Sequence, residues 1–136
     1  MAHEAFVDTS GFYALLASND DAHARAVNIL KKRSDGKHRF VTTDYIIDES
    51  VTLLQARGLS RMGKVLLEMI STSTVCRMEW MEPERFARTK EFYLKHADHP
   101  WSFTDCFSFT LMKELNIKEA LTKDSHFKSA GFIPLL

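Results

Sequence analysis

Short apolar runs alternate along the chain with longer segments in which apolar residues recur every three or four positions. The short runs predict strands at 5–7, 39–42, 74–78, 119–122 and 132–133. The longer segments predict helices: one carrying Phe12, Leu15 and Leu16, and others at about 19–34, 44–57, 60–70, 83–93 and 102–115. Alternation of this kind is typical of repeated βαβ units, so the sequence predicts an α/β fold.

The length and composition predict one soluble domain. A chain of 136 residues with 45% hydrophobic and 26% charged residues is ordinary for a globular protein, and we expect a single domain over residues 1–136. No segment approaches the roughly 20 apolar residues of a membrane span. The start Met1–Glu4 lacks the basic region and long apolar stretch of a signal peptide, so we expect a cytoplasmic protein without a membrane partner.

The charge balance does not by itself indicate a nucleic-acid partner. Eighteen basic and eighteen acidic side chains cancel. Two basic clusters, Lys31–Arg33 and Lys37–Arg39, are either a basic rim beside an active site or the solvated ends of a helix and a loop. Cys76 and Cys106 are too few for a disulfide framework, and neither has metal-ligand spacing, so both are expected to be reduced and packed.

Four carboxylates stand where predicted strands give way to helices or lie in the helices that follow. They are Asp8, Glu49, Asp105 and Asp124. In a parallel sheet the carboxyl ends of the strands open onto one crevice, so acids far apart in sequence can converge there. Hard oxygen ligands in such a cluster are what Mg²⁺ or Mn²⁺ requires. If the acids converge, the indicated chemistry is metal-assisted cleavage of a phosphodiester.

Each acid also has an ordinary structural interpretation. Asp8 and Asp124 are good helix caps, and Asp105 with Ser102 can form a capping box. Glu49 lies inside a helix and is explained equally well by a solvated face. The joint pattern favours a site, because all four positions fall on the same predicted edge of the sheet.

A convergent site requires a cation and supporting polar groups. Several carboxylates packed within a few ångströms repel one another, and a divalent metal removes that cost. Ser10 and Thr104 are candidates to orient the ligands through hydrogen bonds. A phosphatase that uses Asp8 as a covalent nucleophile is less favoured, since Ser10 stands where such an enzyme usually has its second Asp. No glycine-rich nucleotide-binding motif is present.

The chain resembles the PIN-domain family of nucleases, in particular the small VapC-like toxins of toxin–antitoxin pairs. The resemblance covers essentially the whole chain and rests on four segments: Phe6–Ser10, Thr42–Glu49, Ser102–Cys106 and Leu121–Phe127. It implies a Rossmann-like three-layer α/β/α sandwich with a mostly parallel sheet, and Mg²⁺- or Mn²⁺-dependent cleavage of RNA. By position, the family's catalytic and metal-binding acids fall on Asp8, Glu49, Asp105 and Asp124.

The resemblance also implies partners. Members of the family commonly form homodimers, and a cognate antitoxin protein holds such toxins inactive. The alternative function is a PIN-like module that binds RNA or a protein without cutting it. Missing acids would favour that alternative, and none of the four is missing here.

Overall fold

A computed structural model describes residues 3–136 as a five-stranded sheet flanked by helices. All four strand pairings are parallel, and the strand order is β3-β2-β1-β4-β5. The strands are β1 (Glu4–Val7), β2 (Arg39–Thr43), β3 (Cys76–Glu79), β4 (Glu119–Leu121) and β5 (Ile133–Pro134). The helices are α1 (Thr9–Leu16), α2 (His23–Asp35), α3 (Asp44–Ala56), α4 (Ser60–Thr72), α5 (Pro83–Lys95), α6 (Phe103–Glu114) and α7 (Ser125–Ser129).

The connections between parallel strands fix the layers. Right-handed crossovers place α1 to α4 on one face of the sheet and α5 to α7 on the other, because the chain reverses its direction of travel across the sheet after β3. The packing agrees with this, since α1 lies against α2 and α3, α3 against α4, and α5 against α6. The expected three-layer sandwich is confirmed, and the sheet is parallel throughout.

The core lies on both faces of the central strands. Strands covered on both sides are apolar along most of their length, and Phe6, Val41 and Leu121 are fully buried. Phe109 of α6 packs edge-on against Phe127 of α7, with 5.0 Å between ring centroids. The apolar layers hold β1 and β4 side by side at the point where the strand order reverses. In open α/β sheets a crevice forms at this point, beyond the carboxyl ends of the strands.

Element boundaries differ from the sequence prediction where local polar contacts compete with helix formation. The second helix begins at His23 rather than near Asn19, because the Asp20 carboxylate accepts the backbone N–H of Ala22 and holds residues 19–22 in a turn. The short strand β3 begins at Cys76, two residues later than predicted, because the hydroxyl of Ser73 accepts the N–H groups of Val75 and Cys76.

No helix within residues 3–136 is both long enough and apolar enough to cross a bilayer.

Candidate active site

All four predicted acids line one cleft at the carboxyl edge of β1 and β4. The cleft has a volume of about 430 Å³. Its walls are formed by the first turns of α1, α6 and α7 and by one face of α3, which are distant from one another in the sequence. The lining residues are Asp8, Thr9, Ser10, Glu49, Leu53, Pro100, Ser102, Asp105, Asp124 and His126. The predicted convergence of the acids is therefore present in the structure.

Asp8 follows β1 directly and is the most deeply placed of these acids, with 5% of its surface exposed. It stands at the N-cap position of α1, yet its side chain makes no capping hydrogen bond, so the simple capping interpretation is wrong for this residue. Its Oδ2 instead accepts the hydroxyl of Thr122 at 2.9 Å and that of Ser10 at 3.2 Å. Ser10 also accepts the backbone N–H of Lys123. The Asp8 carboxylate is thus held by Ser10 of α1 and by Thr122, the residue that follows β4.

Burial raises the pKa of the Asp8 carboxyl to about 6. Desolvation is the largest cause, and the negative charges of Asp124 and Asp105 add to it. The backbone N–H of Thr9 and the hydroxyl of Thr122 act in the opposite direction without cancelling the rise. The ionised form of Asp8 is therefore costly in this cleft unless a cation lies beside it.

The raised pKa of Asp8 predicts that the stability of the metal-free protein decreases as the pH rises. A carboxyl whose folded-state pKa is raised from 3.8 to about 6 stabilises the fold below pH 4, and that contribution is lost as the pH rises through 6. Without metal, Asp8→Asn should therefore raise the free energy of unfolding by on the order of 3 kcal/mol at neutral pH, with little change below pH ~4. Thermal melts of both proteins in chelator across this range measure it. A difference between the two proteins that stays constant with pH would contradict the assigned cause.

Asp105 lies in the first turn of α6, and hydrogen bonds hold one of its two carboxylate oxygens. The hydroxyl of Ser102 accepts the Asp105 backbone N–H at 3.0 Å, and Asp105 Oδ2 accepts the Ser102 backbone N–H at 3.1 Å, which completes the predicted capping box. The same Oδ2 lies 3.0 Å from Nδ1 of His126, which donates to the carboxylate. Both contacts use Oδ2, so Oδ1 of Asp105 remains available as a ligand atom.

Asp124 is the N-cap residue of α7. Its Oδ1 accepts the backbone N–H of His126 at 2.9 Å, so the capping interpretation of Asp124 is confirmed alongside its place in the cleft. Asp105, Asp124 and His126 each offer one ligand atom, and these atoms all lie within 4.8 Å of one another. Asp8 lines the same cleft, and the charges of Asp105 and Asp124 both act on it.

Glu49 enters the cleft from the middle of α3. Its side chain is exposed, as expected for a residue on a solvated helix face, but its carboxylate accepts the hydroxyl of Thr9 at the start of α1. This contact turns Glu49 toward Asp8 rather than away into solvent. Packing of α1 against α3 brings Thr9 and Glu49 together, although they lie 40 positions apart in the sequence.

The other residues named from the sequence divide into two groups. Ser10 binds Asp8, as proposed, whereas Thr104 lines an adjoining groove with Tyr45 and Thr52. The basic clusters do not border the cleft: Arg33 pairs with Glu119 at 3.1 Å, and Arg39 opens β2 at the amino edge of the sheet, opposite the acids. The alternative in which they form a rim of the site is therefore wrong.

Three cleft residues were not singled out from the sequence. They are Thr9, Thr122 and His126, and each binds one of the acids through its side chain. Thr122 lies 114 positions from Asp8, so no local pattern reveals the contact. A weak signal exists only for His126, which stands two residues after Asp124 in the first turn of a predicted helical segment.

The donor set fits a hard divalent cation. Carboxylate oxygens suit Mg²⁺ and Mn²⁺, and burial, with the nearby charges of Asp124 and Asp105, makes the ionised form of Asp8 costly without a cation. Hydroxyl and imidazole groups hold individual oxygens of Asp8, Asp105 and Glu49 by hydrogen bonds. The open parallel sheet with an acidic cleft at its switch point places the chain among α/β proteins whose site lies beyond the carboxyl ends of the strands.

The chain belongs to the PIN domain family. The family model matches residues 5–133, which include all four cleft acids. The family resemblance inferred from the four sequence segments is thus confirmed, together with its fold.

Two curated relatives are nucleases by name. The chain is 30% identical over 128 residues to the 23S rRNA-specific endonuclease VapC20 of Mycobacterium tuberculosis, covering 94% of this chain and 95% of that protein. It is 29% identical over 125 residues to a VapC ribonuclease of Archaeoglobus fulgidus, covering 90% and 78% respectively.

Solved structures give the same result for the fold. The crystal structure of VapC20 from Mycobacterium tuberculosis, described as a toxin that cleaves the sarcin–ricin loop, superimposes with a TM-score of 0.83 over 94% of this chain and 95% of that one. The crystal structure of PAE2754 from Pyrobaculum aerophilum superimposes with a TM-score of 0.65 at 19% identity, covering 99% and 92%, and at that identity it supports the fold alone.

Proposed function

We propose that the protein is an endoribonuclease that requires Mg²⁺ or Mn²⁺ and acts as the toxin of a toxin–antitoxin pair. The observation that carries the proposal is the convergence of Asp8, Glu49, Asp105 and Asp124 in one cleft, with Asp8 too buried to ionise easily without a cation. The nuclease names of relatives at about 30% identity over at least 90% of the chain support the same activity.

The residues have distinct roles in this proposal. Asp8, Asp105, Asp124 and Glu49 would hold the metal, and a metal bound there would supply polarisation of the phosphodiester and activation of a water nucleophile. Thr122 and Ser10 fix the carboxylate of Asp8, so its free oxygen keeps one direction. Thr9 does the same for Glu49, and His126 does so for Asp105.

The proposed substrate is a structured segment of 23S ribosomal RNA. VapC20 is named for 23S rRNA and described as cleaving the sarcin–ricin loop, and this chain spans nearly all of that protein. Residues 1–136 are proposed to act as one domain, since the family model covers 5–133. A ribosomal substrate also puts the site of action in the cytoplasm. The proposed protein partners are a cognate antitoxin and a second copy of the chain in a homodimer, as the family resemblance implies.

Incubation of the purified, antitoxin-free protein with total RNA tests the proposal. We expect discrete cleavage of 23S rRNA with Mg²⁺ or Mn²⁺ and none with a chelator, and primer extension then maps the cut. Binding of RNA without cleavage in either metal would favour the non-catalytic PIN-like module. Cleavage that continues unchanged in chelator would exclude the proposed role of the acids.

His126 supplies a separate test of how the metal site is held. His126→Ala removes the Nδ1 donor that fixes Asp105 Oδ2, and we expect roughly tenfold weaker Mn²⁺ binding by calorimetry. His126→Asn keeps a side-chain N–H near the same place and should recover most of the affinity. Equal Mn²⁺ affinity in the wild type and the alanine variant would show that His126 does not position Asp105.

A further inference from the structure

An acidic cleft repels the phosphates on either side of the bond to be cut. A cation close to the cleft is therefore needed to hold the rest of an RNA strand. Lys123 borders the cleft, but its ammonium lies 2.6 Å from Asp21 and 3.1 Å from Asp20, so two carboxylates already neutralise it. The zero net charge of the chain offers no general attraction in its place.

Arg57 is placed to supply that cation. It follows α3 directly, and its backbone N–H donates to the carbonyl of Leu53 at 3.0 Å, so it continues the helical register of the last turn. Glu49, Leu53 and Arg57 are therefore spaced at i, i+4 and i+8 along one face of the helix. Glu49 and Leu53 both line the acidic cleft. By helical rise, Arg57 lies about 12 Å from Glu49 along the same face.

Tyr13 of α1 holds the Arg57 guanidinium in a defined place. The Arg57 Cζ atom lies 5.5 Å from the centroid of the Tyr13 ring, a cation–π contact. Tyr13 is itself spaced at i and i+4 from Thr9, whose hydroxyl binds Glu49. The stack therefore joins α1 and α3, the same two helices that the contact of Thr9 with Glu49 joins at the cleft.

The stacked guanidinium keeps its hydrogen-bonding capacity. A cation–π contact uses the face of the guanidinium and leaves its N–H donors at the edge free for an anion. Arg57 is exposed and takes part in none of the ion pairs found among residues 3–136. The guanidinium N–H groups of Arg57 form a planar fork of donors, held in place by Tyr13 and not paired with a carboxylate. This fork matches the geometry of a phosphate.

The opposite side of α3 is unsuitable for a phosphate. A groove of about 580 Å³ between α3 and α6 adjoins the cleft and shares Glu49 and Leu53 with it. Its two charged lining residues, Asp48 and Glu49, are both acidic. Charge therefore directs a polyanion toward the α1 side of α3, where Arg57 lies.

We propose that Arg57, stacked on Tyr13, binds a backbone phosphate of the RNA strand whose scissile bond lies at the acidic cleft. The proposal rests on the nuclease function proposed above and adds the contact that holds the substrate on one side of the cut. Because the contact is to phosphate, it contributes to affinity and register on many RNA sequences rather than to base selection.

Binding of a fluorescein-labelled RNA hairpin with the sarcin–ricin loop sequence tests the contact. Each variant is made in the Asp105→Asn protein, with Mg²⁺ present, and anisotropy is recorded over a series of salt concentrations. Arg57→Gln should weaken binding roughly fivefold and reduce the slope of log affinity against log salt by about 1. Arg57→Lys should keep the slope with an intermediate loss of affinity, and Tyr13→Leu should weaken binding while leaving the slope unchanged.

Lys118→Gln is the matched control. Lys118 is exposed and precedes β4 at the amino edge of the sheet. Its replacement removes the same single charge, so the RNA affinity and salt slope of the Lys118→Gln protein should equal those of the parent protein. Equal affinity and slope for Arg57→Gln and Lys118→Gln would overturn the inference. If the wild type cuts RNA in that case, only the Arg57 contact fails; if the wild type neither binds nor cuts RNA, the nuclease function fails with it.

Discussion

Asp105→Asn is expected to lower RNA cleavage at least ~100-fold while leaving the fold intact. The asparagine side chain has the same size, and its carbonyl oxygen can still accept from the Ser102 backbone N–H and from His126, so the start of α6 is retained. What is lost is one negative charge from the cluster that holds the cation. Cleavage of 23S rRNA in Mn²⁺, followed over time beside the wild type, measures the effect.

The control for this variant is Asp35→Asn. Asp35 is exposed at the end of α2, near the amino edge of the sheet, so its replacement removes one carboxylate far from the cleft. We expect full activity from that protein, and wild-type circular dichroism from both variants. Retention of cleavage by a folded Asp105→Asn protein would remove Asp105 from the mechanism.

Gly11→Ala is expected to destabilise the fold by at least ~3 kcal/mol. A Cβ added at Gly11 would lie 2.1 Å from the backbone oxygen of Leu121, the last residue of β4, and a strand backbone in the core cannot give way as a side chain can. The glycine thus permits α1 to approach β4 closely. That approach also brings Ser10 of α1 within reach of Thr122, at 3.1 Å between hydroxyl oxygens.

Gly63→Ala in α4 is the matched control for Gly11. A Cβ at Gly63 would approach Val51 no closer than 3.5 Å, an ordinary van der Waals distance, and alanine favours a helix interior by about 1 kcal/mol over glycine. We expect Gly63→Ala to unfold at or above the wild-type urea concentration and Gly11→Ala well below it. Similar midpoints for the two variants would contradict the assigned close contact of α1 with β4.

The fold was predictable because its signals are local and periodic. Apolar runs and helical spacing identify the five strands and six of the seven helices, and the strand–helix alternation predicts parallel pairing. Boundaries were less predictable where a single side chain competes for backbone groups, as Asp20 does before α2 and Ser73 does before β3. Periodicity did not identify the short helix α7, since five residues carry little periodic signal.

The acids of the site were predictable for a topological reason, and their partners were not. An acid after a parallel strand must lie at the carboxyl edge of the sheet, so strand assignment alone brings Asp8 and Asp124 to one place. The contacts of Thr122 with Asp8 and of His126 with Asp105 depend on distances between helices and strands that no pattern in the sequence encodes. The same holds for the stack of Arg57 on Tyr13, which joins two helices.

The most direct test of the account is a calorimetric titration of metal-free protein with Mn²⁺ at neutral pH, for the wild type and for Asp105→Asn. We expect the wild type to bind Mn²⁺ and the Asn variant to bind it at least tenfold more weakly, because one of the clustered carboxylates has lost its charge. Equal Mn²⁺ binding by the two proteins, or none by the wild type in the presence of RNA, would contradict a metal site built from these acids.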